Sequence, residues 1–160
     1  MFTREEAQAL VASVRVARPH LDDELAAHAE AALAKIVGVL PPVARAAAES
    51  MALLAPADPL EPAMRDRLRA LRQAAEGRRR VRFEYVDQHG APSSRLVRPL
   101  ACVYWGAVWT LAAWCETRTD FRNFRLDRIR RLDVLDERFR DEPGRTLPDL
   151  LRRVGADRER

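Results

Sequence analysis

Residues 95–129 read RLVRPLACVYWGAVWTLAAWCETRTDFRNFRLDRI. The first part carries Leu100, Val103, Tyr104, Trp105, Val108, Trp109, Leu111 and Trp114, apolar on both faces, and holds all three tryptophans of the chain. β-Branched and aromatic side chains suit a pleated, packed surface, so two buried strands are expected here. Gly106 lies between them and supplies the backbone angles of a tight turn. Beyond Cys115 the character changes. Arg118, Arg122, Arg125 and Arg128 alternate with Phe121, Phe124, Leu126 and Ile129. In a strand Arg122, Phe124 and Leu126 share one face, which sets a guanidinium beside an aromatic ring.

Working outward, Val81, Phe83 and Tyr85 alternate with Arg82 and Glu84 as a half-buried strand does. Asp87–Gly90 is a turn, and Pro99 predicts a kink in the strand that follows. Arg131–Leu135 reads as the last strand. Five or six short antiparallel strands close most easily into a small barrel. Upstream, Thr3-x-x-Glu6 is a capping box for a helix from about Arg4 to Val16. Asp22 caps a second helix ending at Pro41-Pro42, and Pro42 opens a third through Val43, Ala47, Met51 and Leu54. Three prolines between Pro56 and Pro62 predict a stiff linker. A further helix ends at Gly77, and Leu147, Leu150, Leu151 and Val154 form a terminal one. The fold class is α+β, with this division: 1–55 a helical linker and dimerisation segment, 56–62 a Pro-rich linker, 63–143 a helix plus β-barrel, and 144–160 a C-terminal helix and tail.

Hydrophobic residues at 48% suffice for a core, and 32% charged residues give a soluble surface. No apolar run approaches the ~20 residues of a membrane span, and the acidic amino terminus differs from a signal peptide. The cytoplasm is the expected location. With Cys102 set opposite Leu111 and Cys115 opposite Arg98, the two thiols lie too far apart for the ~5.5 Å Cα separation of a disulfide.

Charge separates the segments more than the total of +4 suggests. Residues 78–131 hold 12 basic and 5 acidic side chains, whereas the flanking parts are slightly acidic. An anionic ligand is the expected partner of such a segment. His20, His28 and His89 are scattered without metal-ligand spacing, and no Gly-rich phosphate loop or paired nucleophile and base stands out. Neither a metal, a cofactor nor an enzyme is expected.

The ordered set Val81–Tyr85, Arg95-Leu96-Val97-Arg98-Pro99, Trp109-Thr110-Leu111 and Arg122–Ile129 resembles the WYL domain, named for a Trp-Tyr-Leu triplet. Thr110 stands where that triplet has tyrosine. FTREEAQAL and ALAKIVGVLPP resemble the segment linking an amino-terminal winged helix to the domain. The resemblance implies an Sm-like or SH3-like barrel that senses an effector for a bacterial-type transcription regulator. It also implies that the winged helix is missing here, and that the chain pairs with a second copy or with a full-length relative. Ligand-binding residues would be Arg95, Trp109, Thr110, Arg122, Phe124, Arg125 and Arg128, taking single-stranded nucleic acid or a nucleotide-like anion. Guanidinium forks fit phosphate geometry and aromatic rings stack on bases. Ordinary ion pairs, such as Arg125 with Asp127 or Arg95 with Glu84, are the competing explanation. Two other functions remain open: a barrel that binds nucleic acid directly, and a dimerisation module without a ligand.

Overall fold

A computed structural model describes residues 1–158 of the chain, so Glu159 and Arg160 of the expected C-terminal tail lie outside the described residues. The chain divides into two compact units, Met1–Asp66 and Arg67–Arg160.

The first unit contains α1 (Arg4–Ala17), a 3₁₀ turn (Arg18–His20), α2 (Asp23–Gly38), α3 (Pro42–Glu49) and the start of α4 (Pro62–Glu76). The Thr3 hydroxyl accepts from Glu6 N at 3.1 Å, and Glu6 Oε2 accepts from Thr3 N at 2.7 Å, completing the capping box. Asp22, fully buried, accepts from Leu25 N at 3.0 Å and starts α2. Helix α3 stops short of Met51 and Leu54. The Ser50 hydroxyl turns back onto the Ala46 carbonyl at 2.7 Å, a local bond that competes with continuing the helix. The core of this unit is small: Ala7, Val11, Leu40 and Ala48, with Leu33, Ala44 and Met51 packed against it. Between Ser50 and α4 the proline-rich stretch has no regular structure, and Leu60 N donates to Pro19 O at 3.2 Å.

The second unit holds the rest of α4, then β1 (Arg79–Val86), β2 (Pro92–Tyr104), β3 (Trp109–Cys115), β4 (Asp120–Arg125), a 3₁₀ turn (Leu126–Arg128), β5 (Ile129–Arg138) and α5 (Leu147–Arg158). Leu68, Leu71 and Ala74 bury one face of α4. That helix ends where expected, but the left-handed residue after it is Arg78 (φ 51°) rather than Gly77. The strands form one antiparallel sheet in the order β4-β3-β2-β1-β5.

The expected closed barrel is instead a rolled, open sheet, since no ladder joins β4 to β5 among the described residues. The roll is measurable. Two strands separate β4 from β1, about 14 Å in a flat sheet. Yet the rings of Phe124 on β4 and Phe83 on β1 are 5.0 Å apart, and Arg125 N donates to the Tyr85 hydroxyl at 3.1 Å. The 3₁₀ turn then carries the chain directly from β4 to β5 on the far side of β1. That turn and those rings close the circle that hydrogen bonds leave open. Phe83, Val81, Val97, Leu111, Ala113, Cys115, Phe124, Leu126 and Ile129 fill the inside.

The kink expected at Pro99 is a bulge between Pro99 and Ala101, and β2 continues through it as one strand. The β1 ladder has already ended at Val97 there, so the missing Pro99 N–H removes no bond on that side. The bulge shifts the pairing beyond it. Cys102 does face Leu111, but Cys115 faces Val97, one residue from the expected Arg98; neither cysteine is in a disulfide. Among the described residues no helix is long and apolar enough to cross a membrane.

Candidate anion-binding site

The register of the β1–β2 hairpin sets Arg95 opposite Phe83 and Ser93 opposite Tyr85, on the inward face of the rolled sheet. Arg95 Nε donates to Ser93 Oγ at 3.1 Å, and its guanidinium carbon lies 5.9 Å from the Phe124 centroid. Such a placement over a ring face is favourable because the ring quadrupole is negative there. Phe124 also meets Tyr85 edge-on at 5.1 Å. Arg95, Tyr85 and Phe124 therefore form one corner. The expected Arg95–Glu84 pair does not form: Glu84 lies on the opposite face and takes Arg131 at 3.2 Å.

Arg122 precedes Phe124 by two and stands opposite Ala113 on the same inward face. Its Nη1 donates to Asp120 Oδ2 at 2.7 Å and to Phe121 O at 2.9 Å. Arg153 of α5 donates to the other Asp120 oxygen at 2.7 Å. Hydrogen bonds from Arg153 and Arg122 pull the Asp120 carboxyl down to about 2.

Arg125 stands opposite Thr110 on the other face. It grips Asp127 with two bonds, Nε to Oδ1 at 3.0 Å and Nη2 to Oδ2 at 2.7 Å, and these hold the Asp127 carboxyl below its usual range. Arg128, in the 3₁₀ turn, lies within electrostatic reach of Asp127 and Asp87. Two arginines not singled out from the sequence reach the same turn. Arg67 of α4 donates to Leu126 O at 3.1 Å, and Arg130 donates to Asp127 O at 2.7 Å and Ile129 O at 3.0 Å. Burial and the neighbouring Arg130 charge lower the Arg67 pKa, with Asp127 opposing. Four guanidiniums thus gather at this turn, Arg125 and Arg128 beside the Asp127 carboxylate, Arg128 also near Asp87, and Arg67 and Arg130 on backbone carbonyls. Arg130 belonged to the basic segment of the sequence; nothing in the spacing marked Arg67, 59 residues from Leu126.

Trp109 packs against Tyr104 with ring centroids 5.1 Å apart. Thr110 turns to the opposite face and accepts from the Trp105 indole at 2.9 Å. Trp105 is exposed, as its place beside the turn predicts. Of the seven expected residues, Arg95 stands with Phe124, Arg125 with Arg128 and, across the ladder, with Thr110, while Trp109 lies on the opposite face from Thr110. Arg122 is held by Asp120, which also takes Arg153 of α5. The Phe124–Arg125 peptide and the Tyr85 hydroxyl connect the Arg95–Phe124 pair to Arg125.

The site is thus a small rolled antiparallel sheet with guanidiniums gathered at the 3₁₀ turn between β4 and β5. Residues 66–134, from α4 into β5, match the family model of the WYL domain, and this part of the chain is a WYL domain. Among solved structures the chain is similar to proteasome accessory factor B/C (PafBC) of Arthrobacter aurescens, with 24% identity and a TM-score of 0.46. The likeness covers 89% of this chain and 23% of that one, so the chain spans less than a quarter of its length. No curated protein matches.

Proposed function

We propose that this WYL domain is the effector-sensing part of a transcription regulator of the cytoplasm, and that its effector is an anion, single-stranded nucleic acid or nucleotide-like. The observation that carries the reading is the excess of guanidinium at the 3₁₀ turn, next to the Tyr85–Phe124–Arg95 corner. The cations at this turn outnumber the Asp127 and Asp87 carboxylates beside them, and phosphate oxygens would compete with those carboxylates for the same donors. Charge-assisted contacts of this kind contribute about 1.5–3 kcal/mol each. In fluorescence anisotropy with a labelled single-stranded oligonucleotide at fixed salt, Arg128→Ala should weaken binding about tenfold or more. Arg128→Lys should recover only part, since the charge returns without the fork. Unchanged binding by both variants would remove this site from the reading. A barrel acting directly on nucleic acid, the competing function, would show a steep linear fall of log affinity with log salt and no preference for a small anion.

The helical segment supports a further reading, a homodimer or pairing with a full-length regulator. None of the 16 residues of α2 is buried, and isolated helices of that length are marginal in water. Beside it Val11, Val14, Leu33, Val37 and Ala48 line a groove of about 640 Å³. Val16, Val39, Val43 and Leu54 are exposed as well. A second copy laying the same helices into that groove would bury these side chains. Sedimentation at tens of micromolar should show a dimer, and Val39→Asp combined with Val43→Asp should return it to monomer. A parent that is monomeric at that concentration would end this reading.

A further inference from the structure

We propose that Trp105 is a stacking platform for a nucleobase, positioned by Thr110, with the phosphate of the same nucleotide unit received by Nη1 of Arg125. The inference rests on the anionic, nucleotide-like reading above and adds the residue that would recognise the base.

Trp105 sits at the tip of the β2–β3 hairpin and is 59% exposed. A single exposed tryptophan is ordinary; its fixed orientation is what needs explaining. The indole N–H is spent on the Thr110 hydroxyl at 2.9 Å, and Trp105 N donates to Val108 O at 3.0 Å. The Tyr104 hydroxyl donates to Gly106 O at 2.8 Å, and Gly106 holds a φ of +89°. Both N–H donors of Trp105 are thus engaged within the tip. What remains to offer a ligand is the π face, which attracts any base without regard to its hydrogen-bonding edge.

The register supplies the second half. Val103, Thr110 and Arg125 form one cross-strand row on β2, β3 and β4. Neighbouring strands lie about 4.8 Å apart, so the Trp105 indole, hydrogen-bonded to Thr110, and Arg125 flank the same residue within the span of one nucleotide. Asp127 engages Nε and Nη2 of Arg125, while Nη1 keeps its two N–H groups without a partner among the described residues. A short hydroxyl at position 110 is what allows the indole to settle there: tyrosine, the residue of the family triplet, would project its ring through that space.

The test compares the full chain and two variants against three probes: an eight-residue oligothymidylate, an abasic phosphodiester of equal length, and dTMP. Anisotropy or tryptophan quenching reads binding at one fixed salt. The parent should bind oligothymidylate about tenfold tighter than the abasic strand, the worth of one stacked base. Trp105→Ala should erase that preference and leave abasic binding as it was. Thr110→Val keeps the shape and removes the acceptor. It should cost several-fold in the base preference and leave abasic binding as it was, a split that a merely structural threonine would not give. Trp105-dependent binding of dTMP would assign a free nucleotide as the occupant; Trp105-dependent binding of the oligonucleotide alone would assign a single strand. A Trp105→Ala protein that keeps the base preference overturns the platform while the arginine cradle stands. A parent that binds none of the probes overturns both.

Discussion

Phe124→Ala is expected to lower the unfolding free energy by about 4 kcal/mol, the usual loss for a buried phenylalanine left as a cavity. The ring is 3% exposed and sits opposite Leu111 on β4, an edge strand. It meets Phe83 at 5.0 Å and Tyr85 at 5.1 Å, both near right angles. These edge-to-face contacts add about 0.5–1.5 kcal/mol each beyond area burial. They matter here because they join strands that no ladder joins. Without the ring, β4 is held by β3 alone and by the Arg125 N to Tyr85 hydroxyl bond. Phe124→Leu, which retains most of the volume, should cost roughly 1–2 kcal/mol by the same argument. Urea titration followed by tryptophan fluorescence measures both. A loss below about 1.5 kcal/mol for the alanine variant would mean that the 3₁₀ turn closes the sheet unaided.

That closure is also where sequence reading and structure part. Period-two alternation at Val81, Phe83 and Tyr85 and the glycine turn at Gly106 are local signals, and the strands they announce are present. So is the capping box at Thr3. Local signals do not say how far a sheet rolls, because the roll depends on Phe124 reaching Phe83 across two intervening strands. Nor does a proline say whether the strand will break or bulge. At Pro99 it bulges, and one extra residue was enough to move Cys115 from Arg98 to Val97. The candidate site follows the same division. Its arginines were visible as an excess of charge, and Arg125 with Asp127 was a visible spacing. The cradle itself needs Arg67 from a helix and Arg130 from β5, brought to one turn by tertiary packing. The Trp105–Thr110 bond spans only five residues, yet it appears only once the hairpin register is known.

The second large effect belongs to an arginine that serves the fold. Arg98 has a side chain only 6% exposed; its Nε donates to Glu116 at 2.8 Å and its Nη1 to Glu142 at 2.9 Å. Its guanidinium also lies 5.8 Å from the Phe139 ring. Burial by itself would lower the Arg98 pKa, but the two carboxylates outweigh it and the pKa is raised. Removing one member of a buried pair typically costs 3–5 kcal/mol, because the partner is left charged and dry. Here the partners are better placed. Glu142 is 46% exposed and rehydrates, while Glu116, at 21%, keeps Arg80 at 3.4 Å. Arg98→Met should therefore sit at the low end, about 3 kcal/mol, or roughly 15 °C in melting temperature for a unit of this size. The loss should shrink in acid. Hydrogen bonding to Arg98 lowers the Glu142 pKa from 4.5, so its stabilising contribution is complete above that value and fades as pH falls through the lowered one. Thermal melts of parent and variant from pH 7 down to pH 3 test both statements. A difference that stays constant across that range would show that the Glu142 ion pair does not carry the loss, and one absent at pH 7 would show that the guanidinium adds nothing to stability.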